Sequence, residues 1–268
     1  MTAEDQSTPA PSRARRIWFT VATCVFAAGA LGGLFGIGIV IGWFDNDEGG
    51  IHRVHDLGFG VLFGVILTVA FVAMIRRPEA KPSAFFQVLA VAVAAVVSGI
   101  VSANGGYLLI ALIVAVAAAI LSALHPGRAA LLRSARNLSP HMTAVALAGA
   151  VPLVWFGLTM AKLQRDGPPA DPHVQMGHWA TMAAMSFALV LVGLLASVRL
   201  RGWRISAWCA GLGAAVYGLA SIVFHRFPGT DIRYPGSEGI GWGVVAMLGG
   251  LGFAAVAEWD ARRSRPGS

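Results

Sequence analysis

The sequence predicts an all-α, polytopic membrane bundle of eight transmembrane helices, and three observations carry that prediction. Of the 268 residues 56% are hydrophobic and only 12% charged, with a mean hydropathy of +0.69, whereas a soluble domain carries about 25% charged residues. Eight apolar runs approach or exceed the ~20 residues that a helix needs to cross a hydrocarbon core of ~30 Å. No run has Asp, Glu, Lys, Arg or His in its interior. Lipid offers the backbone no hydrogen-bond partner, so a spanning segment must be helical unless strands close into a barrel, and the alternating polarity of a barrel is missing.

The first run, Ile17 to Phe44, follows Arg13, Arg15 and Arg16. It exceeds the roughly 7 to 15 apolar residues of a signal peptide, so it reads as a retained helix. Its segment GALGGLFGIGIVIG, Gly29 to Gly42, lets helices approach closely. The second run, Leu57 to Ile75, follows IHRVHD; the third and fourth are Ala84 to Val101 and Tyr107 to Leu124. The fifth, Met142 to Ala161, leads into DPHVQMGHW, which precedes the sixth, Trp179 to Val198. The seventh, Ile205 to Phe224, is joined to the eighth, Ile240 to Ala257, by FHRFPGTDIRYPGSEG. Two Pro-Gly pairs predict tight turns in that loop, and His225, Asp231 and Tyr234 are placed to cover a site. Residues 1–16 read as a disordered cytoplasmic tail, 17–258 as the membrane domain and 259–268 as a cytoplasmic C-terminal tail.

With eight spans both termini share one side, and fifteen of the twenty Lys and Arg fall there. The opposite side holds Arg53, Lys162, Arg165, Arg226 and Arg233. The basic side is therefore expected in the cytoplasm, with the chain in the plasma membrane. The net charge of +7 is a topological signal, and nucleic acid is not an expected partner. Seven of the eight tryptophans fall near run ends, where amphipathic rings favour the interface; Trp155 is the exception. Cys24 and Cys209 lie at similar depth inside two runs and are expected as buried thiols.

Five of seven histidines, His52, His55, His173, His178 and His225, gather on the less basic side with eight of thirteen acids. These are ligand types for zinc, copper or haem iron. His52 and His55 are three apart and share a helix face. In DPHVQMGHW, Asp171 fits an N-cap and Pro172 the first helical position. One continuous helix would then set His173 and His178 about 140° apart, leaving His173 toward solvent and Trp179 in the interfacial belt. His178 heads a stripe with Met182 and Met185, so His55, His178 and Met182 are the candidate cofactor ligands, and the five histidines the candidate metal ligands. A packing stripe and interfacial anchors are the alternative explanation.

His55 lies 21 residues before Arg76, and His178 lies 21 before Arg199. Two arrangements stay open: a four-plus-four duplication, and eight unrelated spans. Two four-helix halves with histidines near their outer ends resemble the haem A synthase family. That resemblance implies paired histidines holding haem near the outer surface, with Glu48 before His52-Arg53 and His178 as the matching residues. The chain departs from the pattern: Glu48 stands four residues before His52, and the fourth and eighth runs have no histidine at that end. It is also similar to intramembrane zinc hydrolases, which would imply His52, His55 and His225 with Asp56, though the helical HxxxH is missing. The run interiors lack ionisable groups, which speaks against a proton-driven pump or a retinal protein. The favoured expectation is a haem- or transition-metal-binding redox protein or enzyme. The alternatives are a passive transporter or assembly subunit with a membrane-protein partner, and a zinc hydrolase.

Overall fold

The computed structural model describes residues 12–44, 51–128, 131, 137–227 and 229–263. The described residues are largely helical, contain no strand, and include eight helices long and apolar enough to cross a membrane. These are α1 (Arg13–Gly33), α3 (Arg53–Ile75), α4 (Pro82–Val101), α5 (Gly105–Leu124), α6 (Pro140–Asp166), α8 (His178–Ser197), α9 (Trp203–Val223) and α10 (Ile240–Arg263). Two single α-helical turns, α2 (Gly38–Ile41) and α7 (Pro172–Gln175), and a 3-10 turn at Pro78–Ala80 complete the set among the described residues. Helix α1 begins at Arg13, capped by Ser12, and α10 continues to Arg263, so helix enters both segments read as tails. Residues 1–11 and 264–268, the acids Asp45, Asp47 and Glu48, and Arg133 and Arg136 lie outside the described residues.

Local chemistry accounts for several helix starts. The side chains of Asn104 and Ser139 accept the backbone N–H groups of Tyr107 and Met142, and Pro82 and Pro140 occupy first turns that need no proline N–H. Arg77 and Arg199 lie just past the ends of α3 and α8, in left-handed backbone with φ of 54° and 52°. Glycine normally occupies that position; here an arginine does so at matching places in each half.

Packing follows the four-plus-four division. In the first half α1, α3, α4 and α5 form a closed ring in which α5 returns against α1; α6, α8, α9 and α10 form a second, with α10 against α6. The rings meet through α3, α4, α8 and α9. Between 56% and 78% of the apolar stretch of each of those four is buried inside the protein, against 22% to 33% for the outer four. That contrast separates helices packed on protein from helices whose apolar surface is left for lipid.

Close contact between α9 and α10 depends on reciprocal glycines. A methyl group on Gly218 would sit 2.5 Å from the Gly243 carbonyl oxygen, and one on Gly243 would sit 2.6 Å from that of Gly218. Gly211 meets Gly250 in the same way one heptad along.

The first apolar run departs from the expected single helix. It breaks after Gly33, passes through Phe35 at φ 59°, and returns as the single turn α2. The cause is backbone docking: a Cβ on Gly36 would lie 2.9 Å from the Gly64 nitrogen, and one on Gly42 would lie 2.8 Å from the Arg53 oxygen. Facing this contact, α3 widens into a π-helical stretch at Gly60–Thr68. The expectation of two buried thiols is half corrected, because Cys209 is buried but Cys24 is exposed on the outward face of α1.

Candidate metal centre

The end of the bundle opposite the arginine-rich termini is built around imidazoles. His52 is the N-cap residue of α3, and His55 stands on the first turn, completely buried. On the other side, Asp171 caps α7, its Oδ1 accepting both the His173 backbone N–H and the His173 ring Nδ1–H at 2.9 Å. Met176 ends that single turn, Gly177 adopts φ 70°, and α8 restarts at His178. A left-handed residue is cheap for glycine because it has no Cβ to clash with the carbonyl.

This break reverses the sequence-based expectation for His173. On a continuous helix His173 and His178 would diverge; with the kink their ring centroids are 5.6 Å apart. His52 lies 5.2 Å from His173 and 4.9 Å from His178 by ring centroids. His55 lies 4.8 Å from His173 and stacks on His178 at 5.0 Å. His173 is therefore a buried member of the cluster and not a solvent-side residue. Trp179 also moves from its expected place in the interfacial belt, packing edge-on against His55 at 4.7 Å with its residue buried. Phe59 closes another side at 5.7 Å from His178.

The nitrogens define what the cluster can do. One candidate ligand atom each from His52, His173 and His178 lies within 4.8 Å of the other two. His52 Nε2, His173 Nε2, His178 Nδ1 and both ring nitrogens of His55 are buried and have no hydrogen-bond partner. Buried polar atoms are nearly always satisfied, so five orphaned ring nitrogens in one place need an explanation. The Asp171 carboxylate accepts a hydrogen bond from the His173 Nδ1–H, which leaves Nε2 with its lone pair free, the tautomer a metal ligand requires. Burial would raise the Asp171 carboxyl, but hydrogen bonds from the His173 ring and amide and from Trp179 outweigh it and hold the group below its ordinary range.

The remaining candidate residues divide. Met182 is fully buried, its sulfur packed on Gly58 one turn along α3 from His55. Gly236, at φ 79°, lies over His55: an added Cβ would be 3.1 Å from His55 Cε1 and 3.3 Å from the Met182 methyl. The Tyr217 hydroxyl donates to the Gly236 carbonyl at 2.6 Å and pins this part of the α9–α10 loop over the cluster. Asp231 instead pairs with Arg226 at 2.7 Å, and Tyr234 is buried in a stack on Phe227. His225 stays outside the three-histidine group, its Nδ1 bonded to the Ile222 carbonyl at 3.0 Å. Sequence reasoning missed three participants: Gly177 as the kink, Asp171 as partner of the His173 ring, and Trp179 as a wall. The spacing Asp-Pro-His-x-x-x-Gly-His carried the first two, since a glycine six residues after an N-cap is a place where a helix can stop.

No family of known proteins, no curated protein and no solved structure matches this chain.

Proposed function

We propose that the chain is an integral membrane metalloprotein holding one transition-metal ion, zinc or copper, through His52, His173 and His178, at the end of the bundle that the basic-residue count places outside the cytoplasm. The observation that carries this reading is the convergence of three histidine nitrogens within 4.8 Å, in a place where buried ring nitrogens lack partners. Tetrahedral zinc with Zn–N bonds of about 2.0–2.1 Å sets its nitrogens roughly 3.4 Å apart, so ring rotations closing up to about 1.4 Å would complete the site. Imidazole suits zinc and copper, and the carboxylate behind His173 is the usual outer partner of a metal-bound histidine.

Three protein ligands leave a coordination position free, as in catalytic rather than purely structural zinc sites. His55 is the neighbour able to supply either a fourth ligand or a base at that position. The packing supports an ion over haem: imidazole centroids 4.8 to 5.6 Å apart, with His55 stacked on His178, leave no slot between them for a porphyrin. His225 belongs to neither the group nor its wall, which lowers the trial set drawn from zinc hydrolases.

The test is elemental analysis and a visible spectrum of the full chain purified in neutral detergent from cells grown with zinc and copper. The expected result is close to one zinc or copper per chain and no Soret band, with the metal lost on His52→Ala, His173→Ala or His178→Ala and kept on His225→Ala. A Soret band would replace the ion by haem. A protein that is metal-free as purified and takes up neither ion on titration would overturn the reading in favour of an assembly subunit or passive transporter.

A further inference from the structure

The opposite end of the bundle has a second feature, independent of the histidines. The segment after α3 (Arg76 to Lys81) and the start of α9 (Gly202 to Ile205) line an open, shallow pocket of about 450 Å³. Its lining includes Arg76, Arg77, Lys81 and Arg204 with Trp203, and no acidic residue. We propose that this pocket binds a phosphate-bearing anion, either the headgroup of an anionic lipid or a soluble phosphate.

The walls of the pocket are fixed by contacts between two segments far apart in sequence. The Ser83 backbone N–H donates to the Arg201 carbonyl at 3.1 Å, the Ser83 and Ser206 hydroxyls bond at 2.8 Å, and the Arg201 guanidinium donates to the Glu79 carbonyl. Gly202, at φ 82°, makes the approach possible, because a Cβ there would sit 2.9 Å from the Lys81 Cα.

Of the acids at this end, Glu79 pairs with Arg16 at 2.9 Å, away from the lining, whereas Glu258 pairs with Arg204 on the pocket wall and accepts the Trp208 indole N–H, so the field of the pocket rests on Arg76, Arg77 and Lys81. Among the described residues Arg76 and Arg77 pair with no carboxylate. Lys81 is held in place, its Nζ donating to the carbonyls of Ala73 at 2.7 Å and Arg76 at 2.9 Å, where it offsets the negative end of α3. Burial, and then the charges of Arg76 and Arg77 beside it, push the Lys81 ammonium below its ordinary value. The start of α9 has no side-chain cap, since its N-cap is glycine, so the positive end of that helix adds to the field. Clusters of this kind at the cytoplasmic ends of transmembrane helices suit anionic headgroups, with about 1 kcal/mol per basic residue.

The full chain in neutral detergent, exposed to equal amounts of phosphatidylglycerol and phosphatidylcholine, is examined by native mass spectrometry for retained lipid. Thermal melting is measured in parallel with each lipid and with millimolar inorganic phosphate. Preferential retention of phosphatidylglycerol without an effect of inorganic phosphate supports the pocket and assigns it to lipid; protection by inorganic phosphate as strong as that by phosphatidylglycerol supports it and assigns it to a soluble ligand. The Arg76→Gln, Arg77→Gln double variant should bind the anion about thirty-fold more weakly, about fivefold per arginine at low salt, while Arg13→Gln, a change at the same end outside the pocket, keeps the wild-type affinity. Equal retention of the two lipids by the wild type with no phosphate effect overturns the proposal, a comparison that needs no variant to fold. Undiminished phosphatidylglycerol preference in the double variant overturns it as well.

Discussion

Replacing Asp171 by Ala separates a helix cap from a support for a metal ligand. One carboxylate oxygen accepts the backbone N–H and the ring N–H of His173, both at 2.9 Å. Losing the cap of the single turn α7 should cost about 1 kcal/mol of stability. Losing the acceptor behind His173 frees the ring to rotate and to carry its proton on Nε2, the atom needed for the metal. Outer partners of this kind are worth about 10–100-fold in metal affinity, equivalent to about 1.4–2.8 kcal/mol. Asp171→Ala should therefore bind zinc 10–100-fold more weakly and melt earlier. Asp171→Asn keeps one acceptor oxygen for the cap without the charge, so its melting point should stay near the wild type while its affinity still falls. Affinities can be read by competition with a chromogenic chelator in detergent, with Asp231→Ala as control, since its exposed pair with Arg226 lies away from the cluster. Wild-type zinc affinity in Asp171→Ala would refute the claim that this carboxylate orients His173.

Three further outcomes can be checked by thermal melting of the purified chain. Gly218→Ala puts a methyl 2.5 Å from the Gly243 oxygen and should destabilise by about 1–3 kcal/mol through forced separation of α9 and α10, while Gly241→Ala, which meets open space, should change little. Tyr107→Phe removes the buried 2.5 Å hydrogen bond to the Thr181 hydroxyl, which ties α5 to the first turn of α8; about 1 kcal/mol should be lost, and an unchanged melting point would show the bond to be neutral. Burial lifts the Glu238 carboxyl above its ordinary value of 4.5, with Arg233 opposing, so its contribution to stability is present below pH 4.5 and is lost as pH rises through the elevated value. Glu238→Gln should flatten that pH slope and stabilise the protein near neutrality, and a slope identical to the wild type would place its origin in other groups.

The membrane architecture was legible in the sequence because lipid imposes a one-dimensional rule. Every backbone group must be satisfied within its own segment, so long apolar runs without charges become helices whatever their neighbours. The cap at Asp171, which acts over two residues, is local and was legible as well, whereas the caps at Asn104 and Ser139 emerged only with the structure. The matched spacing from His55 to Arg76 and from His178 to Arg199 reappears as two rings of four helices, each with a left-handed arginine after its second long helix.

What stayed hidden depended on contacts between distant segments or on one backbone torsion. The break in the first run follows from docking of Gly36 and Gly42 on α3, a contact that composition cannot announce. His173 joins His178 only because Gly177 turns left-handed, and both meet His52 only because α3 and α8 pack side by side. The basic pocket likewise exists only where the segments at residues 76–81 and 202–205 are brought together. Sequence alone therefore pointed to a multi-pass membrane bundle, to the eight long apolar helices found among the described residues, and to which residue types gather at each end. The tertiary structure decided which of those residues touch, because apolar packing in lipid has no long-range directional signal and the meeting of side chains is settled by local kinks and glycine contacts.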